Sequence, residues 1–378
     1  LVLFKVVIIR FSSIKFILYL LTFSMPVTLS TAEFLNTPEV LLDVRSPAEY
    51  AQGRIPGAIS FPLFSNAERA EVGTCYKQQG RDAAVELGLA IVGPKLAEFV
   101  ATAKQLAPDH RLRIHCWRGG MRSGSMAWLM ETAGFQVALL ERGYKGFRQW
   151  ARSQLAIPKP VLTLGGMTGT GKTAILHTLA AQGEQILDLE DLANHRGSSY
   201  GNLGLPPQPT TEQFENLIAI EWAKFSADFP VWIEAESRMV GTCRVPDQLF
   251  QQMITAPVLQ VERSRPERLQ ILLKMYGTVD PTQLIMATER LTKRLGGDRT
   301  QAAVNLIRQG NLAAAINIVL DYYDKTYLHD LQRRNVPIYP IPAAELSDFA
   351  VAQLLIETGD SVWKKLEPHQ PEILEVSA

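Results

Sequence analysis

At 378 residues the chain is too long for one typical domain, and two or three are expected. With 47% hydrophobic and 20% charged residues it has a globular composition, which excludes wholesale disorder. Basic and acidic side chains balance at 38 each, so bulk charge cannot attract nucleic acid, and such a partner would need local basic patches.

Residues 1–24 stand apart. Lys5, Arg10 and Lys15 break their apolar runs, and Pro26 sits where a signal-cleavage motif belongs. The uncharged stretch is short for a spanning helix. This segment reads as an over-called start or a leader, with a signal or membrane segment as the alternative. No membrane is expected for the mature domains.

The first domain is placed at 25–155. Val40 to Val44 is a strand, and Ser46-Pro47-Ala48-Glu49 is a capping box with proline at the first helical position. Gly53 to Ala58 is a turn and 83–106 a helix. A strand from Arg111 to His115, a glycine-rich loop, a helix from Ser123 to Ala133 and a strand from Val137 to Leu140 follow. Ala156-Ile157-Pro158-Lys159-Pro160 marks a boundary. The second domain, 156–358, opens with a strand from Val161 to Leu164, a glycine-rich loop and a helix to about Ala181. Next come a strand from Gln185 to Leu189, a polar loop from His195 to Pro209, helix 211–226 and a strand from Val231 to Glu234. Beyond Pro266 the pattern is mostly helical, and 359–378 reads as a polar tail. Strands alternating with helices predict an α/β chain of two parallel-sheet domains, the second with a helical C-terminal part.

The loop His115-Cys116-Trp117-Arg118-Gly119-Gly120-Met121-Arg122 joins a strand to a helix. Inward-pointing amides, a helix N-terminus, Arg118 and Arg122 all favour a thiolate at Cys116. The Cys-x5-Arg spacing serves sulfur or selenium transfer through a persulfide-type cysteine, or phosphate-ester hydrolysis. An inert buried cysteine is the plain alternative, but two arginines and two glycines make a poor core. From Arg113 to Lys159 eight basic residues face two acidic ones, Glu131 and Glu141. Lys145 and Arg148 in that stretch are candidate RNA contacts, and a solvated surface is the competing reading.

Gly166-Met167-Thr168-Gly169-Thr170-Gly171-Lys172-Thr173 matches a P-loop in its proper strand–loop–helix context. Gly166, Gly169 and Gly171 let backbone approach phosphate, Lys172 supplies charge, and Thr173 offers a hydroxyl to Mg2+. Glu234 or Glu236, at the end of an apolar strand, is a candidate for holding the metal or a water. Asp188, Glu190, His195 and Arg196 are candidates for a substrate loop. Arg290, Lys293 and Arg294 fall at helical spacing and make a candidate phosphate-tracking stripe, or a solvated face.

The first half resembles a rhodanese domain, through Asp43-Val44-Arg45, Gly53 to Ala58, the cysteine loop and Gly143-Tyr144-Lys145-Gly146-Phe147. That likeness favours chalcogen transfer. Residues 26–355 as a whole resemble the tRNA 2-selenouridine synthase family. The residues that carry this are Glu71 to Gly80, the P-loop, Asp188-Leu189-Glu190, His195-Arg196-Gly197-Ser198, Phe214-Glu215-Asn216 and Glu236-Ser237-Arg238-Met239. The resemblance implies a cytoplasmic selenotransferase with geranyltransferase activity. Its substrate would be tRNA with a wobble 5-substituted 2-thiouridine, and its co-substrates selenophosphate and geranyl diphosphate. An enzyme supplying selenophosphate is an implied partner. It gives Cys116 the role of chalcogen-carrying nucleophile. The P-loop would hold the prenyl diphosphate, with ATP or GTP left open.

Arg142 stands where a second glycine is usual in the family, a departure read as of little chemical weight. Cys75 is either structural or a second, relaying thiol, and Cys243 is read as structural. The three scattered cysteines make neither a disulfide scaffold nor a Cys-rich zinc site and suit a reducing compartment. His115 is read as strand-buried rather than a base. The alternative functions are a sulfurtransferase coupled to a nucleotide-binding domain, and a nucleotide-switched sulfur carrier.

Overall fold

The structure is a computed structural model that describes residues 26–332 and 335–366. The leader, and the part of the tail beyond Leu366, lie outside the described residues. The chain divides into two compact units, Leu1–Arg152 and Ser153–Ala378.

The first unit runs β1 (Val27–Leu29), α1 (Thr31–Leu35), β2 (Val40–Asp43), α2 (Pro47–Gln52), β3 (Ile59–Ser60), α3 (Asn66–Gln79), α4 (Arg81–Val92), α5 (Leu96–Leu106), β4 (Arg111–His115), α6 (Met121–Thr132) and β5 (Gln136–Leu140). Helix α7 (Gly143–Ala156) follows. The sheet order is β1-β5-β4-β2-β3, and every pairing is parallel. Leu42, Val44, Leu112 and Ile114 meet Met126, Ala127 and Met130 of α6 in one core. Capping boxes at Ser30/Glu33, Ser46/Glu49 and Ser65/Glu68 start α1, α2 and α3. The single helix expected over 83–106 is broken, with a 3-10 turn at Gly93–Lys95 between α4 and α5. Pro94 has no N–H to carry the helical ladder through.

The second unit contains β6 (Val161–Gly166), α8 (Lys172–Ala181), β7 (Gln185–Leu187), α9 (Leu189–Leu192), α10 (Thr211–Lys224), β8 (Val231–Glu234), β9 (Met239–Val240), β10 (Cys243–Arg244), α11 (Asp247–Thr255) and β11 (Val258–Glu262). Helices α12 (Arg265–Tyr276), α13 (Pro281–Glu289), α14 (Thr292–Leu295), α15 (Gly297–Arg308) and α16 (Leu312–Gln332) follow, then β12 (Ile338–Pro342) and α17 (Asp348–Leu366). Its main sheet, β12-β11-β6-β8-β7, is parallel throughout, and β9 pairs antiparallel with β10. β6, buried along its whole length, is the central strand and delivers the P-loop. A second cluster, built on Leu272, Leu284, Leu291, Leu295, Ile307 and Leu320, holds the C-terminal helices together.

Two expected boundaries shift. The strand expected to run to Leu189 stops at Leu187, because the Asp188 carboxylate accepts from Asp191 N at 2.8 Å and caps α9. Helix α17 passes through Gly359, where the tail was placed, and ends at Leu366. Its apolar residues Val351, Leu355 and Val362 are buried against the P-loop sheet. A Cβ at position 359 would lie 2.8 Å from the Trp232 ring, so the glycine permits this packing. Among the described residues no helix is long and apolar enough to cross a membrane.

β5 enters α7 through two consecutive left-handed residues, Arg142 (φ 58) and Gly143 (φ 56). Arg142 therefore bears the steric cost that a glycine at this point avoids. The Arg142→Gly variant is expected to gain about 0.5–1 kcal/mol, the strain relief less the added entropy of unfolding. Thermal melts of the full chain check this, and an unchanged or lower midpoint would contradict it.

Candidate functional site

Cys116 follows β4 and lies at the mouth of the loop that starts α6. It is 3% exposed, and its Sγ is 3.1 Å from Ser123 Oγ, one turn into the helix. The segment after β5 closes over the loop: Tyr144 N donates to Cys116 O (2.8 Å) and Lys145 N donates to Trp117 O (2.9 Å). Gly143 makes the contact close, since a Cβ there would lie 2.3 Å from Cys116 O. Beneath the loop Arg45 and Asp43 form a fully buried ion pair (2.6 Å), and the Arg45 guanidinium also donates to Gly53 O (2.6 Å). That guanidinium lies 3.8 Å from the Tyr144 ring centroid, which links the pair to the loop. His115 is fully buried, and desolvation pushes its pKa down to about 4 against the opposing pull of Asp43. It is a neutral packing residue at physiological pH.

The two loop arginines differ. Arg122 is committed to Glu49, at 2.6 and 3.2 Å. Burial alone would raise Glu49, but Arg122 and the Ser46 N–H hold it at about 2. The Arg122 charge is thus largely matched by a carboxylate rather than left for the sulfur. Arg118 is exposed and has no ion pair among the described residues, so it is the available cation of the loop. Trp117, 36% exposed, stands beside it. Lys145 is exposed and Arg148 half-buried, both on α7. Cys75 is half-buried on α3. Cys243 belongs to the second unit, where its Sγ donates to Pro209 O at 3.3 Å and burial raises its pKa.

In the second unit Gly166, Gly169, Gly171, Lys172 and Thr173 line one cleft of about 340 Å³, together with Glu190, Arg196, Glu236 and Arg294. Lys172 Nζ donates to Gly166 O at 3.0 Å. Thr173 Oγ1 is 3.1 Å from Glu190 Oε2 and 3.0 Å from Glu234 Oε1, and its one proton serves either. Carboxylate oxygens of Glu190, Glu234 and Glu236 lie within 4.8 Å of one another. Glu234 is fully buried, and its Oε2 has no hydrogen-bond partner. Three carboxylates, one with an orphaned oxygen, and an adjacent hydroxyl are the hard oxygen donors that suit Mg2+.

Asp188 is not in this cleft. Besides capping α9 it accepts from His177 Nε2 at 2.7 Å. His195 is 8% exposed, and Arg196 donates to Leu203 O at 2.8 Å, so both are partly structural. Arg290, Lys293 and Arg294 are not on one helix. Arg290 caps the end of α13, Leu291 interrupts, and the other two sit on α14. Arg290 and Arg294 border a neighbouring cleft of about 840 Å³, whereas Lys293 does not line it.

Sequence reading missed the clamp on the P-loop. Arg268, 3% exposed, donates to Thr168 O (3.1 Å) and forms a bidentate pair with Asp324 of α16 (2.7 and 2.8 Å). From the same helix Tyr327 Oη accepts from Gly166 N at 2.7 Å. Helix α16 also walls a narrow apolar cavity of about 40 Å³, lined in part by Leu284, Ile307, Leu312, Ile316 and Leu320. That cavity shares Thr168, Ser198, Leu272, Tyr276 and Tyr323 with the P-loop cleft.

Residues 159–350 match the family model described as the tRNA 2-selenouridine synthase AAA domain, and residues 30–149 match the rhodanese-like domain. A tRNA 2-selenouridine synthase of Marinobacter nauticus is 34% identical, over 80% of this chain and 90% of its own. One from Bordetella bronchiseptica is 37% identical, over 78% and 89%. One from Pseudomonas putida is 34% identical, over 84% and 95%.

Burial, then Glu236, raises Glu190 to about 8, and burial with its acidic neighbours raises Glu234 well above the usual carboxylate range. A carboxyl whose pKa rises on folding stabilises the fold below its unfolded value, and that stability is lost as pH climbs through the folded one. With chelator present, melting temperature is expected to fall from about pH 5 to pH 8.5, and Mg2+ to restore it. Glu190→Gln should flatten the decline. A decline equal to the wild type's would remove the carboxylate cluster as its cause.

Proposed function

The chain belongs to the tRNA 2-selenouridine synthase family, whose members modify wobble uridine in tRNA, and we propose that this enzyme exchanges sulfur for selenium at C2 of a 5-substituted 2-thiouridine. Selenophosphate is the donor in this reading and geranyl diphosphate the activating co-substrate. Attack of the thiocarbonyl sulfur on C1 of the prenyl group releases diphosphate. A selenium nucleophile at the selenide level then adds to C2 and expels the geranyl thiolate, with no net redox change. Alkylation makes the sulfur a far better leaving group.

Cys116 is assigned the release of selenium from selenophosphate: its thiolate attacks phosphorus, the P–Se bond breaks, selenide leaves with the electron pair, and water hydrolyses the S-phosphocysteine to phosphate. The exposed Arg118 is the cation suited to the donor's phosphate, and Arg122 fixes the loop through Glu49. In the second unit Lys172 and the loop amides would hold the diphosphate. Glu190, Glu234, Glu236 and Thr173 would hold Mg2+, which supplies charge neutralisation for phosphate oxygens.

The observation that carries the prenyl reading is the apolar cavity sharing a wall with the P-loop cleft. A nucleotide base and ribose would ask for polar partners there, whereas a hydrocarbon chain asks for leucine and isoleucine.

Cys116→Ser is expected to abolish selenouridine formation and leave geranylation intact. Lys172→Ala is expected to lower geranylation by about 100-fold or more, the scale for removing a phosphate-binding charge in a closed site. Mass analysis of nucleosides from treated tRNA reads both. Selenouridine made by Cys116→Ser would overturn the nucleophile assignment. Normal geranylation by Lys172→Ala, with loss of a step that needs ATP or GTP, would turn the P-loop assignment to a nucleotide.

A further inference from the structure

Beside the P-loop cleft lies the larger cleft of about 840 Å³, to which the mechanism above gives no task. It shares Gly197, Ser198, Ser199, Ser237 and Arg294 with the P-loop cleft. The two clefts therefore share a wall. No carboxylate lines it. Arg290 and Arg294, both exposed and without an ion pair among the described residues, stand at its border.

One wall is rigid. Gln208 Nε2 donates to Ala193 O (3.1 Å) and Val240 O (3.0 Å), while its Oε1 accepts from Thr242 N (2.9 Å) and Thr242 Oγ1 (3.1 Å). Gly241 (φ 61) closes over that amide, and a Cβ there would lie 2.2 Å from Gln208 Oε1. Asn202, Ser237 and Thr242 add exposed polar groups. His195, also in the lining, keeps a buried Nδ1 with no hydrogen-bond partner. The cleft is mixed, with Leu205, Pro206, Pro207 and Met239 beside these polar groups, cationic at its border, and within the size range of small-ligand pockets. Those features suit a nucleotide, with its base turned in and its phosphates at the arginines.

We propose that this cleft seats the acceptor nucleotide of the RNA during alkylation, and that selenium exchange at Cys116 uses a second, separate seat. The inference rests on the reading of the P-loop as the holder of a prenyl diphosphate. In the step served here the thiocarbonyl sulfur forms a bond to C1 of the prenyl group. The C1–O bond breaks, diphosphate leaves with the electron pair, and the N3 proton of the base passes to solvent.

The test uses the full chain, a stem-loop RNA carrying 2-thiouridine, and the variants Arg290→Glu and Asn202→Trp. Neither residue lines the P-loop cleft. Each variant is expected to raise the KM and Kd for RNA in alkylation by about tenfold or more, the scale of a lost phosphate or base contact. Each should bind inorganic diphosphate within about twofold of wild type, which also shows that the unit is folded. Each should convert chemically S-geranylated RNA to selenouridine at the wild-type rate. Wild-type KM for alkylation in both variants overturns the proposal. So does a parallel loss of selenium exchange, since one seat would then serve both steps. If the wild-type protein binds the RNA but never alkylates it, the prenyl reading fails on its own, and the Kd values of the two variants still decide whether RNA occupies the cleft.

Discussion

The first unit's chemistry depends on one clearance. Position 143 has no room for a side chain, because the carbonyl of Cys116 and the amide of Gly119 both lie against it. Only with that space free can the start of α7 hydrogen-bond the backbone of Cys116 and Trp117. The sulfur is then fixed between the loop and Ser123, and the exposed edge of the loop is left to Arg118 and Trp117. The buried Asp43–Arg45 pair supports this from below through the Tyr144 ring. A paired ion of this kind is costly to break from one side, and the Arg45–Tyr144 contact joins it to the start of α7.

The second unit solves the same problem at the same place in its sheet. Both centres sit where a parallel strand passes into a helix, at the carboxyl ends of the strands. The electrostatics are opposite. At Cys116 the acids beside and beneath the loop, Glu49 and Asp43, are each paired with an arginine. At Thr173 three carboxylates crowd together, and burial raises two of them toward the protonated form. One site is arranged around a sulfur and the other around a carboxylate cluster beside a P-loop.

The sequence was most legible where function is local. The cysteine loop and the P-loop are short runs whose residues act on their own backbone, so spacing reveals them. Glu49 was visible as a cap and not as the partner of Arg122, because the two are joined only by folding. Arg268, Asp324 and Tyr327 carry no motif, and they meet the P-loop across long stretches of chain. The errors were also physical. Pro94 broke a periodic pattern, Asp188 ended a strand by capping a helix, and Gly359 looked like a tail because its small size serves a contact with Trp232. The basic stripe at 290–294 kept its period in sequence but not in space, since Leu291 separates two helices.

Helix α16 has two duties that cannot be performed independently. Through Asp324 and Tyr327 it grips the phosphate loop, and through Ile316 and Leu320 it forms one side of the apolar cavity. A rod tethered at one turn and leaned on at another transmits any push between them. If, as proposed, a greasy tail enters the cavity while its headgroup rests on the loop, the tail would tug the amides that cradle that headgroup, and a two-ended ligand would be gauged as a whole, a bare anion or a bare hydrocarbon only by half.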